Sequence, residues 1–372
     1  MRQRYIGGAL IAALAVLTAP GIGKAQWSPT IDSSLGGGEG GGFSTPLNAD
    51  PPIPIPTGKA GDAGFYVASD FVMLNMTRAI GNQVIAKRGF YDSEGFVTGT
   101  TGTFIGSGNV AISTKNLSGA DYQPGWNVEV GYRTEGGLRF FMNFMQLVET
   151  NYTRGAGPVP QSLNVGDNLA DSFISSPVYN FGTAFAGPQF KLAVDGQGNN
   201  PGYTAYGIWN GATQEQITFT QKYTQSQIGS RIPMFETDYS RMYAIAGGQY
   251  SWFYERFQWQ TLDVDINGNT QPQWAAYYKN ILTQRMYGAM FGVGHEIFVA
   301  NQFSVSFEAT GSGLLDIAKQ KAKYSLDDQS SESKWQLDQY RFVPNANASV
   351  NLWWYPIEGV QVRLGYEIMT FY

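Results

Sequence analysis

The chain holds 372 residues, with 24 Lys and Arg against 29 Asp and Glu, a single His and no Cys. A net charge of −5 leaves no basic surplus for nucleic acid, and without thiols there is no disulfide, no thiolate metal site and no lipid anchor on a cysteine. The 46 Gly, 22 Tyr, 23 Phe and 9 Trp, beside only 14% charged residues, favour twisted strands, tight turns and an aromatic surface over helices.

The first residues, MRQRYIGGALIAALAVLTAPGIGKAQ, place Arg2 and Arg4 ahead of an apolar stretch over 6–17 and small residues before Gln26. This is the pattern of a secretory signal peptide over 1–25, with cleavage near Ala25. About 12 apolar residues fall short of the roughly 20 that a spanning helix needs. Residues 26–63 are Gly-rich and then Pro-rich, which predicts a disordered or extended tether. The glycine run at 36–42 lacks the Lys-Ser/Thr ending of a phosphate loop.

From residue 64 the period becomes two. GFYVASDFVMLNM reads as a first strand, and the polar interval after it has room for short strands such as NQVIAKRGF. Next, Trp126, Val128, Val130 and Tyr132 alternate with Asn127, Glu129 and Arg133, and a tight turn at 135–137 leads into Leu138, Phe140, Met142 and Phe144. Residues 149–237 carry no sustained pattern beyond ITFTQKYT and read as a long polar loop. Two strands over 239–249 and 255–265 are expected to turn within 249–255. Further strands follow at 281–299 and 303–312, then a charged interval at 314–338. The closing hairpin at 339–354 and 360–372 sets Ala346, Ala348, Val350 and Leu352 against Asn345, Asn347, Ser349 and Asn351. The count is nine. Bacterial single-chain barrels have an even number of strands, so one strand is expected either within 76–120 or beyond Tyr372, giving about ten.

Short turns near 135, 252, 301 and 357 alternate with long polar intervals, as in barrels with short periplasmic turns and long extracellular loops. No apolar run is long enough for a spanning helix, so an exported chain of this kind enters a membrane only as a closed barrel. The charged wall positions Glu129, Arg133, Arg139, Glu308, Arg363 and Glu367 are expected to face the lumen. Trp126, Tyr132, Trp252, Trp353, Trp354 and Tyr355 are expected at the membrane interfaces.

The segments AGFYVASDFVMLNMTR, PGWNVEVGYRTEGGLRF, YERFQWQT and VQVRLGYEIMTFY resemble the β-barrel porins of planctomycete bacteria, over roughly residues 60–372. The resemblance implies an outer-membrane location and a barrel fold, and for activity it implies little.

Other motifs have plain readings. His295 in GVGHEIF reads as a strand residue, and no nucleophile or paired carboxylates stand at catalytic spacing, so no enzyme activity, cofactor or metal is expected. DVDINGN offers Asp263, Asp265 and Asn267 as half a calcium loop, but Trp274 stands where a bidentate Glu belongs. The Asn-X-Ser/Thr sites at Asn75, Asn116 and Asn151 read as polar loop residues. Lys319, Lys321 and Lys323 read as a solvated loop, with contact to lipopolysaccharide as the alternative.

The expectation is therefore an all-β, antiparallel, up-and-down transmembrane β-barrel over 64–372 in an outer membrane. It acts as a small-solute pore or a loop-displaying surface protein, with membrane lipid and the barrel-assembly machinery as partners. The alternative is a secreted or cell-surface β-sandwich for adhesion or carbohydrate binding. The two differ in which way the apolar face points.

Overall fold

A computed structural model of the chain describes residues 5–14, 63–76, 82–92, 98–117, 122–159, 173–176, 189–192, 203–206, 209, 211–237, 239–263, 270–300, 302–357 and 360–372. The expected cleavage site and nearly all of the tether lie outside them. Strands are β1 (Tyr5–Leu14), β2 (Gly64–Met76), β3 (Val84–Arg88), β4 (Phe90–Asp92), β5 (Thr103–Ile105), β6 (Val110–Ser113), β7 (Gln123–Arg133), β8 (Arg139–Leu147) and β9 (Thr150–Ala156). They continue with β10 (Ile174–Ser175), β11 (Gln189–Leu192), β12 (Tyr203–Tyr206), β13 (Gln214–Glu236), β14 (Ser240–Leu262), β15 (Ala275–Ala300), β16 (Phe303–Leu326), β17 (Glu332–Ile357) and β18 (Val360–Phe371). Among the described residues there is no α-helix, only two short 3-10 turns.

The main sheet is antiparallel throughout, in the order β14-β15-β16-β17-β18-β1-β2-β7-β8-β13-β9, and β13 also pairs with β14. Strands β13 to β18 follow one another in sequence and in space, as tight connections between long antiparallel strands require. The β7–β8 turn closes with Thr134 donating to Leu138, and Gly137 sits there at a φ of 81° that favours a residue without a Cβ. The sheet curls strongly. Tyr223 on β13 meets Phe371 on β18 with ring centroids 6.5 Å apart, although these strands are five places apart in the order. Val72, Met145, Tyr223, Phe253, Leu314 and Phe371 belong to one buried apolar cluster gathered from strands around the curl.

Two expectations about individual strands are corrected. Residues 239–265 do not form two strands with a turn at 249–255, because β14 runs unbroken through Trp252. Residues 214–236 are not loop but β13, paired along its length with β14. Among the described residues the main sheet takes ten strands from 64–372, the nine β2, β7, β8 and β13 to β18 with β9 laid on β13, so the two errors offset each other in the number of long strands but not in their places. The charged interval 314–338 is also mostly strand: β16 reaches Leu326, β17 starts at Glu332, and Asp327 to Ser331 make the connection. By contrast, the expected short strand in NQVIAKRGF is β3.

Which face is apolar changes along each long strand. Over the half of each long strand that leads to the short turns the exposed outward residues are large and apolar: Phe65, Tyr132, Phe140, Ile228, Phe291 and Phe307 stand beside inward polar groups. Toward the other end the phase inverts. On β13, Ile217, Phe219 and Tyr223 are buried inward while Thr218, Lys222 and Thr224 face outward. Residues on opposite faces of a strand alternate, so one side chain's facing determines the rest.

At the long-loop end, β3, β6 and β10 form a small sheet against β9 and β13, with Ile85, Ile112, Ile174 and Ile217 in its core. Beside it Trp209 is buried, stacks edge-on against Trp259 at 4.6 Å and donates its indole N–H to the Tyr324 hydroxyl at 2.9 Å.

Candidate functional site in the interior of the sheet

Glu129, Arg133, Arg139, Glu308, Arg363 and Glu367 lie on the concave face of the curled sheet, and β13 supplies Arg231, which links Glu129 and Glu308. Arg231 grips Glu129 with two parallel bonds, Nη1 to Oε1 at 2.6 Å and Nη2 to Oε2 at 3.1 Å. Its Nε lies 3.6 Å from Glu308 Oε1, so one guanidinium bridges carboxylates from β7 and β16. Its planar fork matches a carboxylate in a way a lysine ammonium does not. The guanidinium also lies over the Phe141 ring, 4.4 Å from the centroid.

Each carboxylate is capped by a tyrosine. Tyr66 donates to Glu129 at 3.0 Å, and Tyr243 donates to Glu308 at 2.5 Å. The strand register explains how they reach. Tyr66 stands opposite Gly131, and Tyr243 opposite Gly294. A Cβ on Gly131 would meet the Tyr66 ring at 2.3 Å, and one on Gly294 would meet the Tyr243 ring at 2.2 Å. The glycines let each ring lie flat over the neighbouring strand, which carries the Tyr243 hydroxyl to Glu308 on the strand beyond.

Further groups extend the layer. Arg363 pairs with Asp70, whose carboxylate also accepts from Asn127 at 2.9 Å, and Glu367 accepts from Asn347 at 3.2 Å. Toward the short turns, Arg241 pairs with Glu296 at 2.5 Å, and Glu296 also accepts from Ser304 at 2.6 Å and Tyr355 at 2.7 Å. Arg133, Arg139, Arg231 and Arg241 converge on a cavity of only about 10 Å³. A second cavity of about 60 Å³ lies between Arg231, Glu308, Asn347 and Glu367. Neither has room for a solute larger than a few waters. Above them the apolar cluster of Tyr223, Phe253, Leu314 and Phe371 crosses the interior.

The aromatic expectations divide. Tyr132 and Trp354 face outward near the short turns, and Trp126 and Trp252 face outward further along the strands. Trp252 does so in mid-strand, packed against Tyr254 at 6.1 Å and not beside a turn. Trp353 and Tyr355 are corrections. Trp353 turns inward, donates to Ser306 at 2.8 Å and lies under Arg363. Tyr355 is 5% exposed and bonded to Glu296. Two adjacent tryptophans in one strand must face opposite ways, so Trp353 and Trp354 could not both have been interfacial.

His295 Nε2 lies 2.7 Å from Ser240 Oγ. Its neighbour Glu296 points to the opposite face, so these three cannot form a nucleophile relay. Among the described residues, no three potential metal ligands cluster. Asp263, the first position of the calcium-like motif, is committed elsewhere: its Oδ1 accepts from Thr213 N at 2.8 Å, and burial pushes its carboxyl up to about 8. Asp265 and Asn267 lie outside the described residues.

The residues missed from sequence are Arg231, Tyr66, Tyr243, Arg241 and Glu296. Arg231 had a detectable signal in QSQIGSRIPM, where Ile228, Ile232 and Met234 alternate with Gln227, Gly229 and Arg231. No family model and no curated protein matches the chain.

Proposed function

We propose that the chain is an outer-membrane β-barrel protein whose interior is blocked at rest, and that it works as a surface scaffold carrying the loops of its long-loop end. The observation that carries this reading is the inversion of inside and outside: exposed apolar side chains ring the outer face while Arg231, Glu129 and Glu308 pair within. A β-sandwich would bury the first set between its sheets and wet the second. A surface with Phe65 at 78% and Phe291 at 65% exposure, repeated from strand to strand, matches hydrocarbon as its solvent. Four outward aromatics in two levels, Tyr132 and Trp354 below and Trp126 and Trp252 above, match two interfacial girdles.

The pairings support closure. β13 pairs with both β8 and β14, and β1 with both β18 and β2, as a ring of ten strands without a free edge requires. An edge in hydrocarbon would cost several kcal/mol per unpaired group, roughly. The ring depends on Tyr5–Leu14, the segment with the pattern of a signal peptide. That segment cannot both leave the protein and pair with β18 and β2. A ten-strand ring is narrow and filled by side chains, in keeping with cavities of about 10 and 60 Å³ and the apolar layer above them.

Planar-bilayer recording separates scaffold from pore. The scaffold reading expects no conductance from the wild type, and a leak from a variant combining Tyr223→Ala, Phe253→Ala and Phe371→Ala. Steady conductance by the wild type would make it a pore.

A further inference from the structure

We infer that the outward face of β15, β16 and β17, just beyond the apolar belt, is a binding site for the phosphates of an anionic glycolipid in the outer leaflet. This rests on the membrane reading of the sheet. Lys319, Lys321 and Lys323 lie not in a loop but at successive outward positions of β16, with Ala318, Gln320 and Ala322 facing inward between them. The register brings other cations beside them: Lys323 stands directly opposite Lys279 on β15 and Lys334 on β17. Like charges facing each other across strands are destabilising unless an anion lies between them. The chain supplies only part of that anion. Glu332 reaches Lys323 at 3.2 Å and also Lys334, and Asp338 lies 3.8 Å from Lys319. With Arg285 the face holds six cations against these two carboxylates and Asp327, which acts on Tyr277 beneath the Lys279 ammonium.

Height points to the kind of anion. Ile317, Tyr340, Leu315 and Phe342 face outward immediately below the lysines. An amphiphile lying there puts acyl chains on the apolar residues and its charged head among the ammonium groups. Neighbouring strands are about 4.8 Å apart and alternate residues of one strand about 7 Å apart, so the lysines form a grid and not a point. A grid with several cations left over suits a head bearing two phosphates, as lipid A does, better than a phospholipid with one.

The test uses the full chain refolded into phosphatidylcholine vesicles, to which lipid A with two phosphates or phosphatidylglycerol at equal negative charge is added. Lipid A is expected to raise the unfolding midpoint of the wild type, and to do so more than phosphatidylglycerol. The K279Q/K321Q/K323Q variant should bind lipid A roughly 100-fold more weakly, from about five-fold per lysine at an anionic surface. Asp338→Asn should bind it more tightly, and salt should weaken every response. Unchanged affinity in the triple variant overturns the site. Equal responses to the two lipids reduce it to plain surface attraction and overturn the two-phosphate assignment. Failure to insert into phosphatidylcholine alone, read before any anionic lipid is added, overturns the barrel reading and this site with it.

Discussion

Phe291→Arg tests the central claim at one position. Phe291 faces outward from β15, opposite Ala246 on β14 and Gly311 on β16, so no partner for a cation stands beside it. It lies eight residues from Val299 near the short-turn end and six from Arg285 above the belt. At about 3.3 Å per residue and a tilt of about 40°, that is about 20 Å from one rim and about 15 Å from the other. In the proposed bilayer setting an arginine cannot reach water from there without distorting the membrane. The expected loss is about 2–4 kcal/mol, against about 0–1 kcal/mol for Ile281→Arg, which lies at the level of Lys321. Denaturant refolding into phosphatidylcholine vesicles, followed by tryptophan fluorescence, reads the difference. On a water-facing surface an exposed Phe→Arg change stays within about 0.5 kcal/mol. A loss that small at Phe291, in a protein that stays monomeric without detergent, would refute the reasoning.

Three further outcomes are expected. Arg231→Met should destabilise by about 3–5 kcal/mol, because Glu129 and Glu308 lose the cation they share, and adding Glu129→Gln and Glu308→Gln should restore most of it in the same refolding assay. Burial raises the Asp263 carboxyl from 3.8 to about 8, so its protonated form belongs to the folded state. Its contribution is complete below about pH 4 and falls as pH climbs to about 8, which hydrogen exchange at the Thr213 and Asp263 amides should follow and Asp263→Asn should abolish. Intact-mass measurement of the mature protein isolated from cells decides the fate of residues 5–14. Their retention keeps β1 in the sheet, and their loss means another strand must pair with β18 and β2.

The antiparallel strands, the turn at 134–138, the pairing of Ile357 with Val360 and the placing of Glu129, Glu308 and Arg363 on the face opposite their apolar neighbours all follow from a period of two, which is local and visible in one dimension. β13 escaped because its apolar parity switches between Tyr223 and Ile228. In its upper half the wet side is outside, and in its lower half the outside is apolar, so a search for one constant phase finds only noise. The same switch on β16, from Leu315 and Ile317 to Lys319 and Lys321, made strand look like charged loop. Trp353 and Tyr355 were misplaced because aromatic type was allowed to outweigh alternation. Alternation determines that two faces exist, but only the curl of the sheet decides which one encloses the other. Arg231 meets Glu129 and Glu308 across intervening strands, at sequence separations that no local pattern encodes.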